Sequence, residues 1–103
     1  MNLEKKRDEI DKIDKEIFKL FQNRMEIVGQ IALVKIQNNC PIEDKEREKK
    51  ILKDKIDLIQ KNDIKIDSKY YVRLFENLME VSKDYQKEIM ESKELDQQFF
   101  RSD

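Results

Sequence analysis

Histidine and tryptophan are absent from this 103-residue chain, and glycine, proline and cysteine occur once each. Without histidine there is no plausible zinc set and no histidine-based catalytic triad. The lone cysteine, Cys40, cannot close an internal disulfide, and with no base to activate its thiol it reads as a bystander rather than a nucleophile. One glycine and one proline leave almost no turn punctuation, which favours a few long helices over a sheet with many turns. A large charge of either sign is missing too: 22 Lys and Arg stand against 23 Asp and Glu, a net charge of −1. Near-neutral balance argues against a general nucleic-acid binder. No run approaches 18 apolar residues, so no membrane span is expected. The N-terminal MNLEKKRDEI has a basic start but no apolar core for a signal peptide, and a cytoplasmic protein is expected. With 44% charged and 38% apolar residues, the chain reads as one small domain with a modest core.

What is present is dominated by the stretch from Leu3 to about Gln37. Leu3, Arg7, Ile10, Ile13, Ile17, Leu20, Arg24, Ile27, Ile31 and Lys35 recur every three or four residues and share one face of a helix. Three cations therefore sit in an apolar seam, whereas Lys12, Lys15 and Lys19 fall on the far side. Taking an unpaired charge out of water costs several kcal/mol, so each seam cation needs an anionic partner or anchors an anionic ligand. At ~1.5 Å per residue Arg7 and Arg24 are roughly 25 Å apart, too far for one small ligand to touch both. The whole helix is ~50 Å long, whereas a compact 100-residue domain is ~35 Å across. An antiparallel second copy is the simplest support for it, and brings Arg7 of one chain towards Arg24 and Lys35 of the other.

Gln37-Asn38-Asn39-Cys40-Pro41 reads as a connection, since Asn favours turns and Pro41 disfavours helix at Cys40. Asp44 is a natural cap for a second helix with Ile51, Leu52, Ile56 and Ile59 on its apolar side, reaching about Lys61 and broken at Asn62-Asp63. Asp67 or Ser68 opens a third helix to around Met90, with the stripe Tyr71, Leu74, Phe75, Leu78, Ser82, Tyr85, Gln86 and Ile89. The final SKELDQQFFRSD either extends this helix or hangs loose. The division expected is a helical domain over 1–91 and a polar extension over 92–103, with no second catalytic or sensing domain.

Each polar group has an ordinary reading. One polar residue in a seam can fix helix register, Asp44, Arg47 and Glu48 can be a capped helix start with a surface ion pair, and Ser82 and Gln86 can satisfy backbone carbonyls. Together they suit a different purpose. Arg7, Arg24, Lys35 and Arg47 could hold two carboxylates, Asp44 and Glu48 could accept from a hydroxyl, and Ser82 and Gln86 could donate to oxygen. No residue is a general base poised near neutrality, so an enzyme built from them works by positioning and electrostatics.

Arg7, Arg24, Lys35, PIED ending at Asp44, DKERE over 44–48 and EVSKDYQ ending at Gln86 resemble, in order and spacing, the all-α class of chorismate mutases. The likeness covers roughly residues 3–90. It implies an all-α fold of three helices per chain in an intertwined antiparallel homodimer with two equivalent sites, each completed by the partner's Arg7. It further implies that Arg24, Arg47 and that Arg7 bind the two carboxylates of chorismate, with Ser82 assisting. Lys35 and Gln86 then donate to the ether oxygen of the breaking bond, and Glu48 with Asp44 holds the ring hydroxyl. No cofactor or metal is implied. The alternatives are an isochorismate pyruvate lyase on the same scaffold and a non-catalytic helical dimerisation module.

Overall fold

The computed structural model describes residues 2–62 and 65–100. Three helices follow one another: α1 (Leu3–Gln37), α2 (Lys45–Lys61) and α3 (Ser68–Phe100). No strand occurs among the described residues, so the fold is all-α.

Short polar side chains set the helix boundaries. Asn2 caps α1, its Oδ1 accepting from the Glu4 and Lys5 amides at 2.9 and 3.4 Å. Asp44 caps α2 by accepting from the Arg47 amide at 3.0 Å, with Glu46 and Glu48 in the first turn where the helix dipole favours anions. Asp67 accepts from the Lys69 amide at 3.0 Å at the start of α3. The α1 terminus is a paired-carbonyl cap: the Cys40 amide donates to Lys35 O at 2.8 Å and the Asn39 amide to Ile36 O at 3.3 Å. Asn39 takes the left-handed place at φ 54°, which asparagine tolerates better than most side chains. This cap reverses the chain and delivers Ile42, which is buried, against α1.

The third helix runs ten residues beyond the expected end near Met90. Neither Gly nor Pro follows Pro41, so nothing in the sequence stops it. Asp63, and the side chains of Phe99 and Phe100, lie outside the described residues. Leu74 and Tyr85, placed on the apolar stripe, are 53% and 38% exposed at its flank.

A second difference concerns α1. Its contact with α3 is centred on Val28 and Ala32, which are buried, rather than on Ile27 and Ile31, which are 54% and 42% exposed. The helix carries two adjoining apolar faces, and α3 covers the one containing Met25, Val28, Ala32 and Ile36. The seam read from the sequence is left open: Ile10, Ile13, Ile17 and Leu20 are each more than half exposed. Arg24 and Lys35 lie on the border between the two faces and are half-buried. The chain is accordingly long and thin, 69 × 32 × 15 Å, with a radius of gyration of 18.4 Å against ~13 Å for a compact domain of this length. Among the described residues, the buried apolar side chains are Val28, Ala32, Ile42 and Ile59.

Candidate active site

A cavity of about 550 Å³ opens where the C-terminal half of α1, the start of α2 and the middle of α3 meet. Seven of the eight residues expected at a ligand site line it: Arg24, Lys35, Asp44, Arg47, Glu48, Ser82 and Gln86. Arg7 does not. It is exposed near the far end of α1, about five turns from Arg24. Ile31, Ile51 and Met79 add apolar side chains to the lining.

The two cations of α1 are fixed by neutral oxygens. Arg24 Nη1 donates to Ser82 Oγ and, at 3.4 Å, to Leu78 O. Ser82 in turn donates its only proton to Leu78 O at 2.7 Å. The serine thus satisfies a carbonyl one turn back, its ordinary reading, and also holds the guanidinium, leaving Nε and Nη2 for other partners. Lys35 Nζ donates to Ile42 O and to Gln86 Oε1, both at 2.9 Å. An ammonium has three N–H groups and no acceptor, so one N–H remains, and Gln86 must turn its oxygen to the lysine and keep its NH₂ as a donor. Ser82 and Gln86 are both 6% exposed, one turn apart on α3. Neither Arg24 nor Lys35 forms an ion pair among the described residues. Two half-buried positive charges therefore face the cavity with no protein carboxylate against them.

The acids are arranged differently. Asp44 is exposed and spends Oδ1 on the α2 cap. Glu48 pairs with Lys83 of α3, Oε1 to Nζ at 2.9 Å, and Glu43 reaches the same ammonium at 3.7 Å. Glu48 holds the Lys83 proton above the ordinary lysine value of 10.5, with Glu43 adding to it and burial opposing. Sequence reading singles out neither Lys83 nor the carbonyls of Ile42 and Leu78. Lys83 falls between Ser82 and Gln86 in an otherwise charged stretch, and its partner is 35 positions away, so no local signal marks it. The lining holds four cations, Arg24, Lys35, Arg47 and Lys83, against the two carboxylates of Asp44 and Glu48, a surplus of two positive charges.

Comparison with known proteins gives the arrangement a family. The model of chorismate mutase type II matches residues 6–87. A bifunctional chorismate mutase/prephenate dehydratase of Buchnera aphidicola subsp. Acyrthosiphon pisum is 45% identical over 84 residues, covering 82% of this chain and 21% of that protein. Its counterpart in Buchnera aphidicola subsp. Schizaphis graminum is 42% identical over the same shares. The chain spans about one fifth of the length of these bifunctional relatives. A chorismate mutase of Methanocaldococcus jannaschii is 36% identical over 85 residues, 82% of this chain and 84% of that protein. No solved structure matches the chain significantly. With four fifths of its length matched by the family model and a relative of similar size, the chain belongs to the chorismate mutase type II family.

Proposed function

We propose that the chain rearranges chorismate to prephenate, in the cytoplasm and on the route to phenylalanine and tyrosine. One observation carries the reading: Arg24 and Lys35 are half-buried, fixed by neutral acceptors, and aimed into a cavity whose lining is net positive, as a dianionic ligand requires. The reaction breaks one C–O bond as a C–C bond forms within one molecule, so no proton or group passes through the protein. That suits a site without a base or nucleophile.

Arg24 and Arg47 clamp the two carboxylates and fold the enolpyruvyl chain over the ring, favouring the reactive conformer over extended ones. Ser82 takes part by holding Arg24. Negative charge grows on the ether oxygen as the bond breaks, and the remaining N–H of Lys35 and the NH₂ of Gln86 meet it there. Such donors help more at the top of the barrier than in the ground state. Glu48, with Asp44, accepts from the ring hydroxyl, and the apolar side chains of Ile31, Ile51 and Met79 pack against the ring.

The protein works as an antiparallel homodimer in which the partner's Arg7 completes each site. The exposed row Ile10, Ile13, Ile17 and Leu20 supports this, because a second α1 is an apolar surface of matching length. So does the position of Arg7, which its own chain cannot bring to its own cavity.

The test is to follow loss of chorismate absorbance with purified protein while measuring its mass in solution, and to repeat the incubation with isochorismate. Prephenate formed by a particle of twice the chain mass is the expected result. Release of salicylate and pyruvate from isochorismate, with chorismate untouched, would replace the reaction by that of a pyruvate lyase.

A further inference from the structure

Two carboxylates at the entry to α2 converge on one ammonium of α3, and this is the ion pair among the described residues that joins separate elements. The side chains of Lys83 and Glu48 are 25% and 24% exposed, so the pair is partly shielded from water. Both residues line the cavity described above and also a groove of about 510 Å³ on the other side, between α2 and α3. The pair is thus the wall between the two. A glutamate in such a wall has three rotatable bonds and can turn its carboxylate to either side, and fixing it costs conformational entropy.

We propose that Lys83 is a positioning residue that holds the Glu48 carboxylate on the cavity side, where it accepts from the ligand's hydroxyl, and cancels a negative charge that would otherwise face a doubly anionic ligand. The proposal rests on reading the cavity as a chorismate site. Lys83 takes no part in the bond changes. It acts on binding through Glu48, and its loss therefore appears in KM, unlike the loss of a group that meets the developing charge.

A double-mutant cycle with Lys83→Met and Glu48→Ala, read by steady-state kinetics on chorismate, tests this. Lys83→Met alone is expected to raise KM about tenfold, the effect of losing one oriented hydrogen bond to a charged group, with kcat within about twofold of wild type. Lys83→Arg, which keeps the charge and the donor, restores KM to within about threefold. In the Glu48→Ala background, Lys83→Met changes KM by less than about twofold, because the group it acts through is gone. Equal losses in both backgrounds, a loss tracked by the melting temperature, or no loss at all overturn the proposal while an active wild type leaves the chorismate reading standing. A wild-type chain that does not turn over chorismate refutes that reading and the role of Lys83 with it.

Discussion

In the proposed reaction Lys35 and Gln86 are the pair that meets the developing charge, and the hydrogen bond between them assigns a direction to each. The ammonium cannot accept, so the amide oxygen faces it at 2.9 Å and the amide nitrogen is left as a donor. On the proposed role, replacing Lys35 by alanine would remove one donor to the developing oxyanion and free Gln86 to rotate. The expected outcome is a loss of ~3–4 kcal/mol of barrier lowering, seen as a fall in kcat far larger than any change in KM. Near-wild-type turnover in Lys35→Ala contradicts the role. Gln86 makes a prediction of a different kind. An amide donates at any pH and the chain has no histidine, so wild-type turnover is expected to be nearly flat from about pH 6 to 8. Gln86→Glu substitutes a group that donates only when protonated, next to an ammonium that favours its charged form. Its proton is bound only in acid, so turnover should fall as pH rises, and a variant equally active on both sides of neutrality contradicts the donor assignment.

Along α1, two apolar faces and the three seam cations Arg7, Arg24 and Lys35 share 35 residues. The periodicity of the sequence marks the seam through Ile10, Ile13, Ile17 and Leu20, but it does not reveal that α3 takes the neighbouring face through Val28 and Ala32. Both faces have the 3.6-residue period, and only tertiary contact separates them. The same limit explains what was legible elsewhere. Asp44 and the Asn38-Asn39 turn were readable because capping and left-handed backbone are local properties. The end of α3 was not, because a run without Gly or Pro gives no stop signal. The identities of Arg24, Lys35, Ser82 and Gln86 followed from polar residues interrupting apolar stripes. The pairing of Lys83 with Glu48 did not, since neither residue interrupts a stripe. The open seam yields a prediction at this scale. Ile17 is 54% exposed in one chain, where a change to Asp would alter stability by no more than ~0.5 kcal/mol. Against a second α1 the same change buries an unpaired carboxylate. Ile17→Asp is therefore expected to abolish the dimer and the rise of melting temperature with protein concentration, while Lys15→Asp on the far side leaves both intact. A dimer that survives Ile17→Asp unchanged would place the interface elsewhere.

The molecule as a whole is a 69 Å rod with its cavity at the end of α1 opposite Arg7. A single chain offers the cavity Arg24, Lys35 and Arg47 and leaves Arg7 about 25 Å from Arg24. In the proposed dimer, two chains laid antiparallel would close that distance twice and give two sites that each depend on both copies. The direct measurement is to mix an Arg7→Ala chain with an Arg24→Ala chain, unfold and refold them together, and assay chorismate turnover. Each variant alone is expected to be inactive. In the mixture half the dimers are hybrids, each with one intact and one doubly defective site, so roughly a quarter of wild-type activity should return. Failure of the mixture to regain any activity, or full activity from either chain alone, would contradict a site shared between two copies.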